Sequence, residues 1–262
     1  MSANGNNGST AYFANGKHGY LRFEDDSYGD YVLSLIKKIV PHFFRHAHTA
    51  IEIGPGLGRF SCSLVKEFKT VVLIEPSKDF AQSLRDFFKN DNVTVHELTA
   101  EEFFSTYDVS DGSVIIGFHI LHHLNKHQRQ TLYRFIKEKR VQALFAEPNP
   151  YNPLIFLQVT FHPDMDWKEE IEYLRLTKKR LFHELNKSGF RNPFFTRICF
   201  LPPPLAHMLL KTPLKKALPY FEMFNKVLPF LVSYQLVHFT GYEPADRHSC
   251  PASVPIRKTP LS

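Results

Sequence analysis

Cysteine is scarce in this chain of 262 residues. Its three cysteines, Cys62, Cys199 and Cys250, are too few and too scattered for a disulfide framework or for a cysteine-based zinc site. Such a zinc site takes about four ligands at close spacing. We therefore expect a reducing, cytoplasmic compartment and predict no metal site.

Long apolar runs are also missing. Residues 1–10 are polar and lack the basic-then-apolar pattern of a signal peptide, and no stretch of about 18 uncharged apolar residues exists to span a bilayer. We expect a protein without a transmembrane segment that is soluble or at most peripheral at a membrane. Membrane contact by the proline-broken stretch 201–231 stays open, as does the oligomeric state.

Positive charge is in modest excess, with 32 Lys and Arg against 26 Asp and Glu and a pI near 9.1. The surplus is local, since residues 168–226 hold 12 basic and 5 acidic side chains. Such a patch could attract phosphate, nucleic acid or an anionic membrane. A solvated face is the favoured interpretation, because no basic run is longer than Lys178–Arg180.

Apolar periodicity predicts an α/β fold. Short β-branched runs alternate with helical patterns of 10 to 15 residues, which is typical of a parallel sheet covered by helices on both faces. The predicted helices include 30–40, 59–68 and the one that Thr177 caps and Gly189 ends. The predicted strands are 50–53, 71–74, 93–96, 114–118, 141–146, 194–201 and 233–240.

One domain over residues 12–247 is the expected organisation. A cover segment (12–26) precedes its first helix, and proline-rich insertions are predicted at 148–176 and 202–232, the latter a helical pair between strands six and seven. Polar composition predicts disordered tails at 1–11 and 248–262.

A glycine loop follows the first strand of this alternation. Gly54, Gly56 and Gly58 lie between a buried strand and a helix, where missing side chains let the backbone approach a ligand closely. Glu75 ends the next strand, where a carboxylate can accept both hydroxyls of a ribose. Together they predict a nucleoside-containing ligand.

The spacing of the loop speaks against a dinucleotide. The loop is G-x-G-x-G, with Arg59 where the dinucleotide fingerprint has its third glycine. Glu52 also lies close to the position of a pyrophosphate, which it would repel. An acid there suits the ammonium or sulfonium of a methionine moiety.

At these residues the sequence resembles the class I S-adenosylmethionine-dependent methyltransferases, of the type acting on small molecules. Residues 52–58 (EIGPGLG) match the family's first motif, and residues 118–124 (FHILHHL) look like the segment after its fourth strand. The resemblance runs from about residue 51 to 190. It implies a Rossmann-like seven-stranded sheet whose last strand is antiparallel.

The resemblance also implies S-adenosyl-L-methionine as cofactor and a set of residues that bind it. One departure is that Thr99 stands where many members carry an adenine-binding Asp. The implied cofactor residues are Glu52, Gly54, Pro55, Gly56, Gly58, Glu75, Pro76, Thr99, Ala100 and Phe118.

The methyl acceptor is expected to lie in an aromatic pocket outside the core sheet. Histidines have the intrinsic pKa of a general base for a hydroxyl acceptor, and His119 and His122 are the candidates, His119 the better of the two. For His123 a structural role is favoured. The candidate acceptor-binding residues are Tyr12, His18, Tyr20, Asn149, Tyr151, Asn152 and Trp167.

Three functions stay open. The leading hypothesis is methylation of a small-molecule acceptor, through oxygen, on an apolar or aromatic compound. The runner-up is nucleic-acid methylation, because the C-terminal half is basic and EIGPGLG also looks like the motif of ribosomal RNA adenine dimethyltransferases. That family's Asn-x-Pro-aromatic motif for the adenine amine is replaced here by residues 117–120 (GFHI), which makes nucleic acid the less favoured partner. The third is a cofactor-binding module without catalysis.

Overall fold

Twelve α-helices and seven strands make up the described part of the computed structural model, which covers residues 27–89, 92–161 and 167–241. The strands are β1 (Thr49–Ile53), β2 (Thr70–Ile74), β3 (Val93–His96), β4 (Ser113–Phe118), β5 (Gln142–Pro148), β6 (Phe194–Ile198) and β7 (Tyr234–Thr240). Each of the seven predicted strands is present, with ends shifted by up to three residues. The predicted tails and the cover segment 12–26 lie outside the described residues.

Helices connect most of these strands. Those before β5 are α1 (Ser27–Ile39), α2 (Pro41–Arg45), α3 (Ser61–Glu67), α4 (Lys78–Phe87), α5 (Ala100–Thr106) and α6 (Lys126–Glu138). Those after β5 are α7 (Pro153–Phe161), α8 (Trp167–Glu170), α9 (Glu172–Arg175), α10 (Lys178–Lys187), α11 (Pro203–Leu210) and α12 (Leu218–Phe221). Short 3-10 turns, Pro213–Ala217 and Glu222–Asn225, flank α12 and complete the predicted helical insertion between strands six and seven. Within the described ranges, no helix has the length and apolar character needed to cross a membrane.

The sheet has the order β3-β2-β1-β4-β5-β7-β6. β1 to β5 are parallel, and β7 runs antiparallel to both β5 and β6. The predicted fold class, with a Rossmann-like sheet and an antiparallel last strand, is therefore confirmed.

Alternating side chains of the strands build one core on each face of the sheet. Val71 and Leu73 of β2 pack with α1, α2 and α3, whereas Val72 and Ile74 pack on the other face with α5, α6 and α10. Central strands are buried on both faces, which explains their continuous β-branched and leucine composition.

Helix starts follow from local capping chemistry. The side chains of Thr99 and Asn125 accept hydrogen bonds from the third residue of α5 and α6 in complete capping boxes, and Ser77 and Thr177 cap α4 and α10. The predicted helix 59–68 begins two residues late, at Ser61, because residues 56–60 remain in turns.

Candidate active site

The carboxyl ends of β2, β1 and β4 form the candidate site. Ile53, the last residue of β1, pairs with Ile74 and with Gly117. The residues that follow are therefore Gly54 after β1, Glu75 after β2 and Phe118 at the end of β4. Register in a parallel sheet thus brings the glycine loop and the acid to one edge.

The three glycines of the loop all have left-handed backbone angles. Their φ values are 65° at Gly54, 56° at Gly56 and 77° at Gly58, a region that other residues rarely adopt. The turn is closed by a hydrogen bond of 2.9 Å from the N–H of Gly58 to the carbonyl of Pro55. The loop is therefore a fixed bend.

Gly54 and Gly56 have different surroundings. A Cβ at Gly54 would overlap Cδ1 of Ile120, a side chain that also fills the space beside Gly117. A Cβ at Gly56 would meet nothing within 4 Å. Position 54 has no room for a side chain because Ile120 packs against it, whereas Gly56 borders open space that a ligand can enter.

The Glu75 carboxylate ties the two loops of the site together. Its Oε2 accepts the N–H of Gly56 at 3.0 Å and its Oε1 accepts the N–H of Ser77 at 2.9 Å, across the exposed Pro76. Burial raises the pKa of Glu75, and the two N–H donors oppose that shift. Each oxygen keeps a lone pair that could accept a hydroxyl, as ribose binding requires.

Glu52 is buried beneath the loop, with 1% of its surface exposed. Its Oε2 accepts the hydroxyl of Ser61 at 2.6 Å. Burial, together with the nearby Glu75, raises the pKa of Glu52 to about 7, against the lowering effect of Ser61. A cationic ligand would favour the ionised form of this acid.

Thr99 and Ala100 lie at the start of α5, the helix that follows β3, and β3 is the strand beside β2. The Thr99 hydroxyl accepts the N–H of Glu102 at 3.2 Å and donates to its carboxylate at 2.8 Å. This hydroxyl is already engaged in the helix cap. Adenine recognition by Thr99 and Ala100 stays a prediction.

Phe118 and His119 continue β4 into the site. The buried Phe118 ring stacks on Phe60, with centroids 4.0 Å apart. His119 has a φ of 56°, an edge-on contact of 4.8 Å to Tyr234, and a buried Nε2 without a hydrogen-bond partner in the described part of the chain. Burial lowers the pKa of His119 to about 3. A neutral ring of this kind suits hydrogen bonding more than proton abstraction at neutral pH.

His122 is paired with Glu147, the acid near the end of β5. Nδ1 of His122 lies 2.6 Å from Oε2 of Glu147, whose Oε1 accepts the N–H groups of Ile120 and Leu121 at 2.9 and 2.8 Å. Burial lowers the pKa of His122, but the charge of Glu147 and its hydrogen bond outweigh it and raise the pKa to about 9. His122 as general base stays a prediction.

The remaining acceptor-binding candidates divide into anchors and surface residues. The amides of Asn149 and Asn152 are buried and donate to the backbone carbonyls of residues 229, 231 and 232, so they fasten the loop after β5 to the chain before β7. Tyr151 and Trp167 are exposed, and Trp167 contacts Phe156 edge-on at 5.4 Å. Tyr12, His18 and Tyr20 lie outside the described residues.

An open groove of about 670 Å³ extends the same edge of the sheet. Pro148 of β5 and Ile198 of β6 both pair with Tyr234 of β7, so the carboxyl ends of β5 and β6 are level. The groove is lined by three cations and three aromatic rings: Lys178, Lys179, Arg197, Tyr151, Phe182 and Phe230, with Pro229.

Of the groove residues, sequence reasoning identified only Tyr151 as part of a site. The local basic surplus was the available signal, but the favoured interpretation was a solvated face. Arg197 lies 6.0 Å from the centre of the Tyr151 ring, and Lys178 lies 5.6 Å from that of Phe195. The fold therefore places basic groups beside rings that are far apart in sequence.

The family model that matches the chain describes ribosomal RNA adenine dimethylases and covers residues 33–136. Two curated relatives are ribosomal RNA small subunit methyltransferases A, from Mycoplasma capricolum subsp. capricolum and Mycoplasma mycoides subsp. mycoides SC. They are 36% and 35% identical over 89 residues, which is 32% of this chain and 34% of each relative. The chain thus aligns with about a third of the length of these relatives.

Solved structures are similar over most of the chain. A SAM-dependent methyltransferase from Archaeoglobus fulgidus has a TM-score of 0.54 at 14% identity, covering 80% of this chain and 94% of its own. The plantazolicin methyltransferase BamL, solved with a triazolic desmethylPZN analog and SAH, has a TM-score of 0.58 at 10% identity, covering 88% of this chain and 89% of its own. At such identities the likeness concerns the fold.

These comparisons correct the expected partner. The sequence favoured a small-molecule acceptor and disfavoured nucleic acid, because residues 117–120 lack the Asn-x-Pro-aromatic motif. The family model and both curated relatives instead concern ribosomal RNA methyltransferases, which overturns that preference. The expectation was wrong because it weighed one four-residue motif above the similarity of the whole cofactor half. By its sheet order, its glycine loop and its structural relatives, the chain has the fold of the class I S-adenosylmethionine-dependent methyltransferases.

Proposed function

We propose that this chain is an enzyme that transfers the methyl group of S-adenosylmethionine to RNA. The observation that carries the acceptor class is the match of residues 33–136 to the ribosomal RNA adenine dimethylase model. This segment runs from α1 through α6 and includes the glycine loop, Glu75 and the turn after β4.

The residues present fit the cofactor. Gly56 opens onto free space, Glu75 offers carboxylate lone pairs beside it, and Glu52 supplies a buried acid under the same loop. When bound there, S-adenosylmethionine supplies a methyl group on a positively charged sulfur. The task of the protein is then to align the acceptor and to exclude water.

The groove supports RNA as the acceptor. Lys178, Lys179 and Arg197 can neutralise phosphates, and Tyr151, Phe182 and Phe230 offer faces on which unpaired bases stack. Stacking contributes about 1–3 kcal/mol per base in such sites. The groove lies at the edge of the sheet where the glycine loop also lies, so a bound strand could reach the methyl group.

The proposed acceptor is RNA, with no base or atom assigned. The family's motif for the adenine amine has no counterpart at the end of β4, where the chain continues from Phe118 to His119 and Ile120. Nucleoside analysis of the labelled RNA identifies the methylated atom.

The test is transfer of tritiated methyl groups to small-subunit ribosomal RNA, transfer RNA and DNA of equal length, followed by digestion to nucleosides. The double variant Lys179→Gln/Arg197→Gln should lower RNA labelling at least tenfold at subsaturating RNA, with S-adenosylmethionine affinity unchanged. Its matched control, Arg45→Gln/Lys69→Gln, removes the same charge just before the amino ends of β1 and β2 and should label RNA like the wild type.

Two results would contradict the proposal in different ways. If the protein binds S-adenosylmethionine but labels none of the RNAs, RNA is not its acceptor, and the non-catalytic binding module is favoured. If the protein does not bind S-adenosylmethionine at all, the assignment of this cofactor is wrong.

A further inference from the structure

Three metal-ligating side chains meet beside the candidate active site. His122 and His123 follow β4, and Glu170 is the last residue of α8. One ligand atom from each of them lies within 4.8 Å of the other two. Two imidazoles and a carboxylate form a donor set of intermediate softness, which suits divalent first-row transition metals.

The centre of this cluster contains an unsatisfied nitrogen. Nε2 of His122 is buried and has no hydrogen-bond partner within the described ranges. It lies 3.8 Å from Oε2 of Glu170, which is too long for a hydrogen bond. Two atoms bound to one tetrahedral zinc ion at about 2.1 Å each lie about 3.4 Å apart, so the 3.8 Å gap is within about 0.4 Å of the separation of two ligands of one ion.

Glu147 orients His122 through Nδ1, the ring nitrogen that does not face the cluster. Its carboxylate lies 2.6 Å from Nδ1 of His122 and is itself held by the N–H groups of Ile120 and Leu121. A carboxylate that accepts a hydrogen bond from Nδ1–H fixes the ring and leaves the lone pair of Nε2 directed at the cluster. The same carboxylate–histidine arrangement supports metal-bound histidines in general.

We propose that His122, His123 and Glu170 form a binding site for one divalent transition-metal ion, with Glu147 as the residue that positions His122. Three protein ligands leave at least one coordination position for water or for an oxygen of a ligand. The inference departs from the prediction of no metal site, which rested on the scarcity of cysteine. It does not depend on the proposed function.

The site adjoins the glycine loop through Ile120. This residue occupies the space next to Gly54 and precedes His122 by two positions. The ligands His122 and His123 therefore follow the carboxyl end of β4, the strand beside β1 and its glycine loop.

The experiment titrates untagged, metal-stripped protein with Co²⁺, Zn²⁺ and Mn²⁺. Calorimetry gives the stoichiometry, and the visible spectrum of Co²⁺ reports nitrogen and oxygen coordination. We expect one ion per chain. Glu170→Gln should weaken binding at least tenfold, because it replaces an anionic carboxylate ligand by a neutral amide with almost no change of shape. Its control is Glu172→Gln, on the neighbouring helix, which should bind like the wild type.

Circular dichroism separates the loss of a metal ligand from unfolding of the variant. If Glu170→Gln fails to fold by circular dichroism, His123→Gln replaces it with His127→Gln as control, since His127 is exposed. Equal binding by the wild type and the ligand variant would overturn the proposal, because the ions would then be held by other histidines. Absence of binding to the wild type would also overturn it and would leave a proton shared between His122 and the two acids.

Discussion

At the scale of single residues, the two positions Gly54 and Gly56 of the glycine loop require a glycine for different reasons. Gly54 and Gly56 have nearly the same backbone angle, but only Gly54 is packed, against Ile120. The sequence motif treats both positions alike, and only the structure distinguishes packing from access.

Alanine substitution should expose this difference. Gly56→Ala carries only left-handed strain, about 1–2 kcal/mol. Gly54→Ala adds the clash with Ile120, for which overpacking costs about 1–3 kcal/mol more. Urea unfolding measures both. In Gly54→Ala/Ile120→Ala the two losses should be less than additive, and strictly additive losses would contradict the packing assignment.

Glu52 should make stability depend on pH. Its pKa in the folded protein is about 7, raised from 4.5, so the folded state favours the protonated acid. Stability from this group is complete below pH 4.5 and falls as pH rises towards 7. Above that it stays reduced, by up to about 3 kcal/mol for a shift of this size.

The variant Glu52→Gln removes this titration while keeping an acceptor for Ser61. Relative to the wild type it should gain stability between pH 5 and 8 and show no gain at pH 4, by urea unfolding without ligand. A constant difference across that range would mean that Glu52 titrates normally.

At the scale of elements, Arg129 of α6 joins three parts of the chain. Its guanidinium donates to both oxygens of Glu184 on α10, at 2.8 and 2.9 Å, and to the carbonyls of Leu121 and Leu124. Arg129 and Glu184 are 4% and 7% exposed. The pair therefore fixes the segment that carries the candidate histidines.

Breaking this pair from one side should be costly. Arg129→Met leaves the Glu184 carboxylate buried with only Arg180 beside it, which should lower the unfolding free energy by about 3–5 kcal/mol. Arg129→Met/Glu184→Leu should recover most of the loss, because no unpaired charge remains. Thermal unfolding of the wild type, Arg129→Met and the double variant tests this, and a double variant no more stable than Arg129→Met would contradict it.

Sequence periodicity predicted well those elements whose residues repeat a regular apolar pattern. Strands β1 to β5 and helix α6 follow from continuous apolar runs, helical spacing and caps such as Asn125. The site was predictable where it coincides with a strand end, as at Gly56 and Glu75. The groove was not predictable, because only the tertiary fold brings Arg197 of β6 beside Tyr151. The histidine cluster was only partly predictable, because Glu170 comes from the aperiodic insertion at 148–176.

At the scale of the whole molecule, the basic groove and the glycine loop share one edge of the sheet. If RNA binds there through phosphates, affinity should fall steeply with salt, with log Kd rising by about 0.7 per neutralised phosphate for each log unit of salt. Three groove cations predict a slope near 2 for their share, and Lys179→Gln/Arg197→Gln should lower the slope by about 1.4. Fluorescence anisotropy over a salt series measures it, and an unchanged slope would place RNA elsewhere.

The cofactor cradle is the feature on which the proposed activity depends most. Asn tolerates a left-handed backbone better than most residues, so Gly56→Asn should fold while its side chain fills the open space. Gly112→Asn, with a φ of 78° in the turn before β4, is the matched control.

Calorimetric titration with S-adenosylmethionine is the most direct measurement. One molecule should bind per wild-type chain, at least tenfold more weakly to Gly56→Asn and equally well to Gly112→Asn, with no binding of NAD. Undiminished binding to Gly56→Asn, or binding of NAD in place of S-adenosylmethionine, would contradict the account.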